Sequence, residues 1–175
     1  MRDTVPKAVT PQLKEFCETI SPSEPIFVTS VPVGGSATSF CFENVARKIR
    51  KSGGSIAYGW AIWHVPSLYF EAEHHAVWRN KKGGLVDVSP QLGGRRRLLF
   101  LPDDQAIYDA MQPRQNIMGP DGNSPAAQEI ARLGNERHSL LMRCRVPGTA
   151  EIRLLGPDQI ELAVIDSRIQ ALISS

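Results

Sequence analysis

The sequence predicts an α+β fold in which a cysteine-bearing helix packs on an antiparallel sheet that carries histidine and aspartate. Three observations predict it. Phe42, Val45, Ala46 and Ile49 have the spacing of one helical face. Three runs rich in β-branched and aromatic residues follow within forty residues of that helix. The last two runs are joined by Asn80-Lys81-Lys82-Gly83, a hairpin connection with glycine available for positive φ.

In chain order, Thr10 caps a short helix over residues 10–19, with Pro11 at its first position, and Pro22 and Pro25 end it. Ile26–Val33 is a strand, broken by Gly34-Gly35-Ser36. Ser39 is the expected N-cap of the cysteine helix. Arg47, Lys48, Arg50 and Lys51 crowd its last turns, where cations suit the helix dipole, and Gly53-Gly54 stops it. Tyr58–Val65, Glu73–Arg79 and Gly84–Ser89 are the three following strands. Beyond Pro90 the pattern predicts a strand at Arg97–Leu101, a short helix after Asp103, and a loop over Asn116–Asn123. A helix then runs from Ser124 to about Leu133, and Leu140–Val146 and Ala150–Leu155 form a hairpin. The last element is a helix over Ile160–Ile173, capped by Asp158 and Glu161.

Length and composition bound the function. The 175 residues, 42% hydrophobic and 22% charged, suit one domain over residues 1–175 and exclude a disordered or collagen-like chain. A net charge of +2 argues against nucleic acid as a partner. No apolar run approaches the ~18 residues of a membrane span, and Met1–Glu15 is too polar for a signal peptide. The expected location is cytoplasmic, with export by a signal-independent route left open. Three cysteines, at 17, 41 and 144, do not imply a disulfide framework.

Chemistry gathers in residues 36–90. Cys41 stands in the first turn of the best-marked helix, where aligned N–H groups favour the reactive thiolate. A nucleophile needs a base, and the base needs an orienting acceptor. His74 and His75 supply candidates on one strand and Asp87 on the next. A turn centred on Lys81 places His75 directly opposite Asp87, close enough for its Nδ1–H to reach the carboxylate. A half-residue shift moves Asp87 to the face of His74, so loop parity decides between the two histidines. The backbone N–H of Cys41 is the natural oxyanion donor. Ser36, Thr38, Ser39 and Asn44 are candidates for a second. Trp60 and Trp63 fall on opposite sides of one strand, so one of them can line a substrate groove.

The run Cys41-Phe42-Glu43-Asn44-Val45, a basic helix, Gly53-Gly54, an aromatic strand, His75-Ala76-Val77-Trp78 and Leu85-Val86-Asp87-Val88-Ser89-Pro90 resembles the core of the transglutaminase-like superfamily, within the papain-like cysteine enzymes. The match covers about residues 36–90 and leaves 91–175 as an unassigned C-terminal part. Val88-Ser89 stands where Pro-Thr is usual, and His74 is an additional histidine. The resemblance implies a papain/transglutaminase-like fold with Cys41 as nucleophile, His75 as general base and acid, and Asp87 as orienter. It implies a protein or peptide substrate and acyl transfer, as in a peptidase, glutamine deamidase or transglutaminase, with no cofactor. Two other readings use the same residues. One is a binding module that keeps the fold without catalysis. The other is a zinc protein, disfavoured because adjacent strand histidines point apart and no HExxH or CxxC is present.

Overall fold

The computed structural model describes residues 4–91 and 93–174. The chain forms two compact units. One holds Val5–Trp63 and His74–Tyr108. The other holds the described parts of Met1–Thr4, His64–Glu73 and Asp109–Ser175. The class is α+β.

In the first unit, helix α1 (Pro11–Glu18) begins where Thr10 accepts a hydrogen bond from the Leu13 N–H. Strand β1 (Ile26–Ser30) is shorter than the predicted Ile26–Val33. Beyond it, Val31 and Val33 donate their N–H groups to the carbonyls of Asp87 and Val88. Helix α2 (Cys41–Ser52) is followed by β2 (Ser55–Val65), β3 (Tyr69–Arg79), β4 (Leu85–Asp87) and β5 (Arg97–Pro102), the end of β2 from His64 and the start of β3 to Glu73 belonging to the second unit. The strands β2, β5, β1, β4 and β3 pair in that order, and β3 returns to β2 to close a five-stranded barrel. Val28, Ala57, Ala61, Val77, Leu98 and Phe100 form a buried cluster of this barrel. At Gly59 a side chain would collide with the Leu101 carbonyl and the Phe100 ring, which is why the aromatic strand carries a glycine there.

The sheet departs from the antiparallel expectation at one place. β1 runs parallel to β4, with Thr29 beside Val86 and Ser30 beside Asp87. The hairpin register also differs from the one expected. Trp78 pairs with Val86 and Arg79 with Leu85, so the turn centres on Lys82 and not on Lys81. The Asn80 side chain accepts from the Lys82 and Gly84 N–H groups and closes the loop between Arg79 and Leu85. Helix α2 lies over Ala76, Val88, Trp78 and Val86 through Val45, Phe42 and Ile49.

The predicted helix after Asp103 is a turn instead. Asp103 accepts the N–H groups of Gln105 and Ala106 and also the Trp60 indole, so no helical ladder starts.

In the second unit, β6 (Ile117–Pro120) occupies the predicted loop, pairing antiparallel with Tyr69–Ala72. Its partner supplies the hydrogen bonds that its own Gly and Pro could not predict. Helix α3 (Pro125–Arg143) continues well past Leu133 and absorbs the start of the predicted hairpin's first strand. Gly134 and Asn135, just beyond the predicted end, have packing reasons to be there. The Met118 side chain fills the space a Cβ at Gly134 would need, and Asn135 bonds both the N–H and the carbonyl of Met118. All that remains of the hairpin is the bridge between Arg145 and Ile152. Helix α4 (Gly156–Ser174) packs on α3 through Ile165, Leu162, Ile169 and Leu172. Its first turn is held by Asp158, which accepts from the Leu155 N–H, rather than by an Asp158–Glu161 capping pair.

Candidate active site

Cys41 is the first residue of α2, and Phe40 is its N-cap. The first backbone bond of the helix runs from the Asn44 N–H to the Phe40 carbonyl, and no side chain caps the end. Ser39 is not the cap. It is exposed with φ of 66° and serves as the bend that leads the chain into Phe40.

Three elements converge on one imidazole. His75 Nε2 lies 3.4 Å from Asp87 Oδ1, long for a hydrogen bond but well aimed. The Cys41 side chain is close enough to the same ring to raise its pKa. The sequence reading had the ring reversed, with Nδ1 on Asp87. The ladder also places Asp87 across from Val77, not across from His75. Because the slip is two residues, the carboxylate keeps the side of the strand that His75 uses. His74 turns the other way. Its Nε2 sits 2.7 Å from the Ala106 carbonyl, and its ring packs on Phe42 and Trp60.

All three side chains are buried: Cys41 is 7% exposed, His75 5% and Asp87 0%. Burial by itself would push the His75 imidazole down. The neighbouring Cys41 sulfur and Asp87 carboxylate outweigh it and hold the ring well above its ordinary value. Burial likewise pushes Asp87 up, and the bonds from His75, the Ser89 N–H and Ser30 bring it below the usual carboxylate range.

Asp87 is held by three groups that the sequence reading missed. Ser30 Oγ donates to Oδ2 at 2.8 Å, Gln91 Nε2 donates to Oδ2 at 2.6 Å, and the Ser89 N–H donates to Oδ1 at 3.0 Å. The Ser89 contact had a local signal, since an Asp often accepts from the N–H two residues on. Ser30 had none, because it arrives from a strand 57 residues away.

The remaining candidates are placed as follows. The Asn44 amide donates to the Ala37 carbonyl at 2.8 Å and to Ser89 Oγ at 3.1 Å, and its oxygen accepts from the Ala37 N–H. Both amide protons are committed, so Asn44 is corrected from oxyanion donor to the brace of the loop before Cys41. Ser36 Oγ donates to the Val33 carbonyl within a turn. Trp60 is 3% exposed and donates to Asp103, too deep to line a substrate groove. Trp63 is half-buried against the barrel cluster, with the Arg95 guanidinium 5.4 Å from its ring centre. Among the described residues, no group of three or more His, Cys, Asp or Glu side chains is arranged to hold a metal ion. Nor is any helix of the described residues long and apolar enough to cross a membrane.

Comparison with protein-family models, with curated proteins and with solved structures gives no match.

Proposed function

We propose that this protein is a cysteine-dependent hydrolase or acyl transferase of papain/transglutaminase-like type, acting on an amide-type bond in a protein or peptide. The observation that carries the reading is His75 held between Cys41 and Asp87. A cysteine nucleophile needs a base beside it, and that base needs an acceptor to orient it.

The Cys41 thiolate attacks the substrate carbonyl and forms a tetrahedral oxyanion. The Cys41 backbone N–H, ahead of the helix ladder, is the donor placed for that oxyanion. As the C–N bond breaks, the imidazolium passes its Nδ1 proton to the leaving amine, and a thioester remains. Neutral His75 then takes a proton from water, or from an acceptor amine, as that group attacks the thioester. Collapse releases the acyl product and restores the thiolate, with the proton back on His75. Asp87 keeps Nε2 protonated throughout. Peptidase, deamidase and transglutaminase differ in leaving group and acceptor, not in these residues.

One observation favours the alternative of a non-catalytic binding module, namely the 7% exposure of Cys41. Brief iodoacetamide treatment separates the two readings, followed by assay of peptide-amide and glutamine-containing substrates with wild type and Cys41→Ala. Labelling of Cys41 with turnover lost in the variant supports the enzyme. An unlabelled Cys41 with no turnover on either substrate class leaves the binding module.

A further inference from the structure

Helix α4 carries an apolar stripe on one side and, on the other, a row of two large aliphatic and two small residues. Leu162, Ile165, Ile169 and Leu172 pack on α3. Ile160, Val164, Ser167 and Ala171 recur at helical spacing on the other side and are exposed, Ile160 at 69% and Val164 at 53%. Ile160 and Val164 lie one turn apart on the side away from α3, and adjoining exposed aliphatic residues on one helix face suit a contact surface.

We propose that this stripe is the contact of a homodimer in which two copies of α4 meet antiparallel. The order of residue sizes fits that occupant. A twofold axis passing between Ile165 and Asp166 sets Ile160 against Ala171 of the partner subunit and Val164 against Ser167 of the partner subunit. Large residues thus face small ones along the seam, as interdigitating helices require. A parallel pair would instead set Ile160 on its own equivalent and Ala171 on its own.

Charge complementarity points the same way. Glu161 and Arg168 flank the stripe on one edge. In the antiparallel arrangement Glu161 comes within two residues of Arg168 of the partner subunit along the axis, about 3 Å, and the contact is made twice. Both groups now bond within the chain, Glu161 to Arg143 and Arg168 to Glu129. Those intrachain partners have second partners of opposite sign. Arg143 also holds Asp158 at 3.3 Å, and Glu129 also holds Arg132 at 2.7 Å. Glu161 and Arg168 can therefore turn to the other copy without leaving a charge alone.

The test is sedimentation equilibrium of the full chain from about 1 to 200 µM, a span that brackets weak interfaces of this size. The expected result is a mass rising from 19.3 kDa toward twice that value. Val164→Glu and Ile160→Lys should each weaken association by about tenfold or more. At concentrations where the wild type is monomeric, their thermal midpoints should match it, since both sites are exposed in the single chain. Glu161→Arg should also weaken the dimer, and adding Arg168→Glu should restore it. A wild-type chain that stays monomeric across the range overturns the proposal, whether or not α4 then binds lipid vesicles or another protein. So does a dimer indifferent to Val164→Glu and Ile160→Lys, or one that the double charge exchange does not recover.

Discussion

Ser30 and Asp87 are neighbours in the parallel pairing of β1 with β4, and the Ser30 hydroxyl donates to the carboxylate oxygen that His75 does not use. The carboxylate is thus oriented from one strand and engages the imidazole of another. Its position is a property of the closed barrel rather than of the hairpin alone.

Asp87→Asn should lower turnover far more than stability. The amide can keep a bond to Ser30 or the Ser89 N–H, but it holds the imidazolium poorly. A loss of about 10²–10⁴ in kcat is expected, with a modest shift in urea midpoint. The high-pH limb of the activity profile should also move to lower pH, because His75 loses one of the groups that raise it. Normal turnover with a large fall in midpoint would make Asp87 a purely structural residue.

Cys41 should be the first thiol alkylated near neutral pH. Cys17 is fully buried, and burial with Glu24 and Glu18 nearby pushes it up to about 12. Burial and Asp158 raise Cys144 as well. Peptide mapping after brief labelling checks the order, and label on Cys17 or Cys144 ahead of Cys41 counts against the nucleophile assignment.

The His75 pairing should stabilise the fold in a pH-dependent way with a definite sign. Its native pKa is raised above the ordinary 6.5, so the contribution is fully present below about 6.5 and is lost as pH rises through the native value. Asp87 acts in the opposite sense. Its contribution is present above the ordinary 3.8 and is lost as pH falls through the lowered native value. Urea unfolding of wild type and His75→Gln across both ranges measures this. The gap between the two should narrow as pH rises above 6.5, and a gap that widens contradicts the assignment.

Asn44→Ala should destabilise the protein by about 1–3 kcal/mol, because it strands the Ala37 backbone groups and Ser89 in a buried place. Urea titration checks it. A change below about 0.5 kcal/mol would show that the brace is dispensable.

Local patterns were enough to place most of the first unit's elements. Helical spacing, the Gly53-Gly54 stop and the β-branched runs marked α2 and the strands around it, since each depends on residues close in sequence. The C-terminal part was less legible. The predicted helix ended near Leu133, yet α3 continues, with Met118 filling the space beside Gly134 and bonded by Asn135. β6 was invisible for a related reason, because its hydrogen bonds come from Tyr69–Ala72.

The site divides along the same line. Sequence alone determined which residue types stand at the start of a helix and on neighbouring strands, and alternation along a strand separated His74 from His75 once the parity of the turn was known. Tertiary structure decided the rest. The two-residue slip to a turn on Lys82 came from the Asn80 side chain folding over its own loop. The His75 ring turns Nε2, not Nδ1, to Asp87, and the carboxylate's second oxygen is claimed by Ser30 and Gln91. Side-chain direction follows from the chain's own period, whereas the partner of a buried polar atom depends on which distant strand closes the barrel beside it.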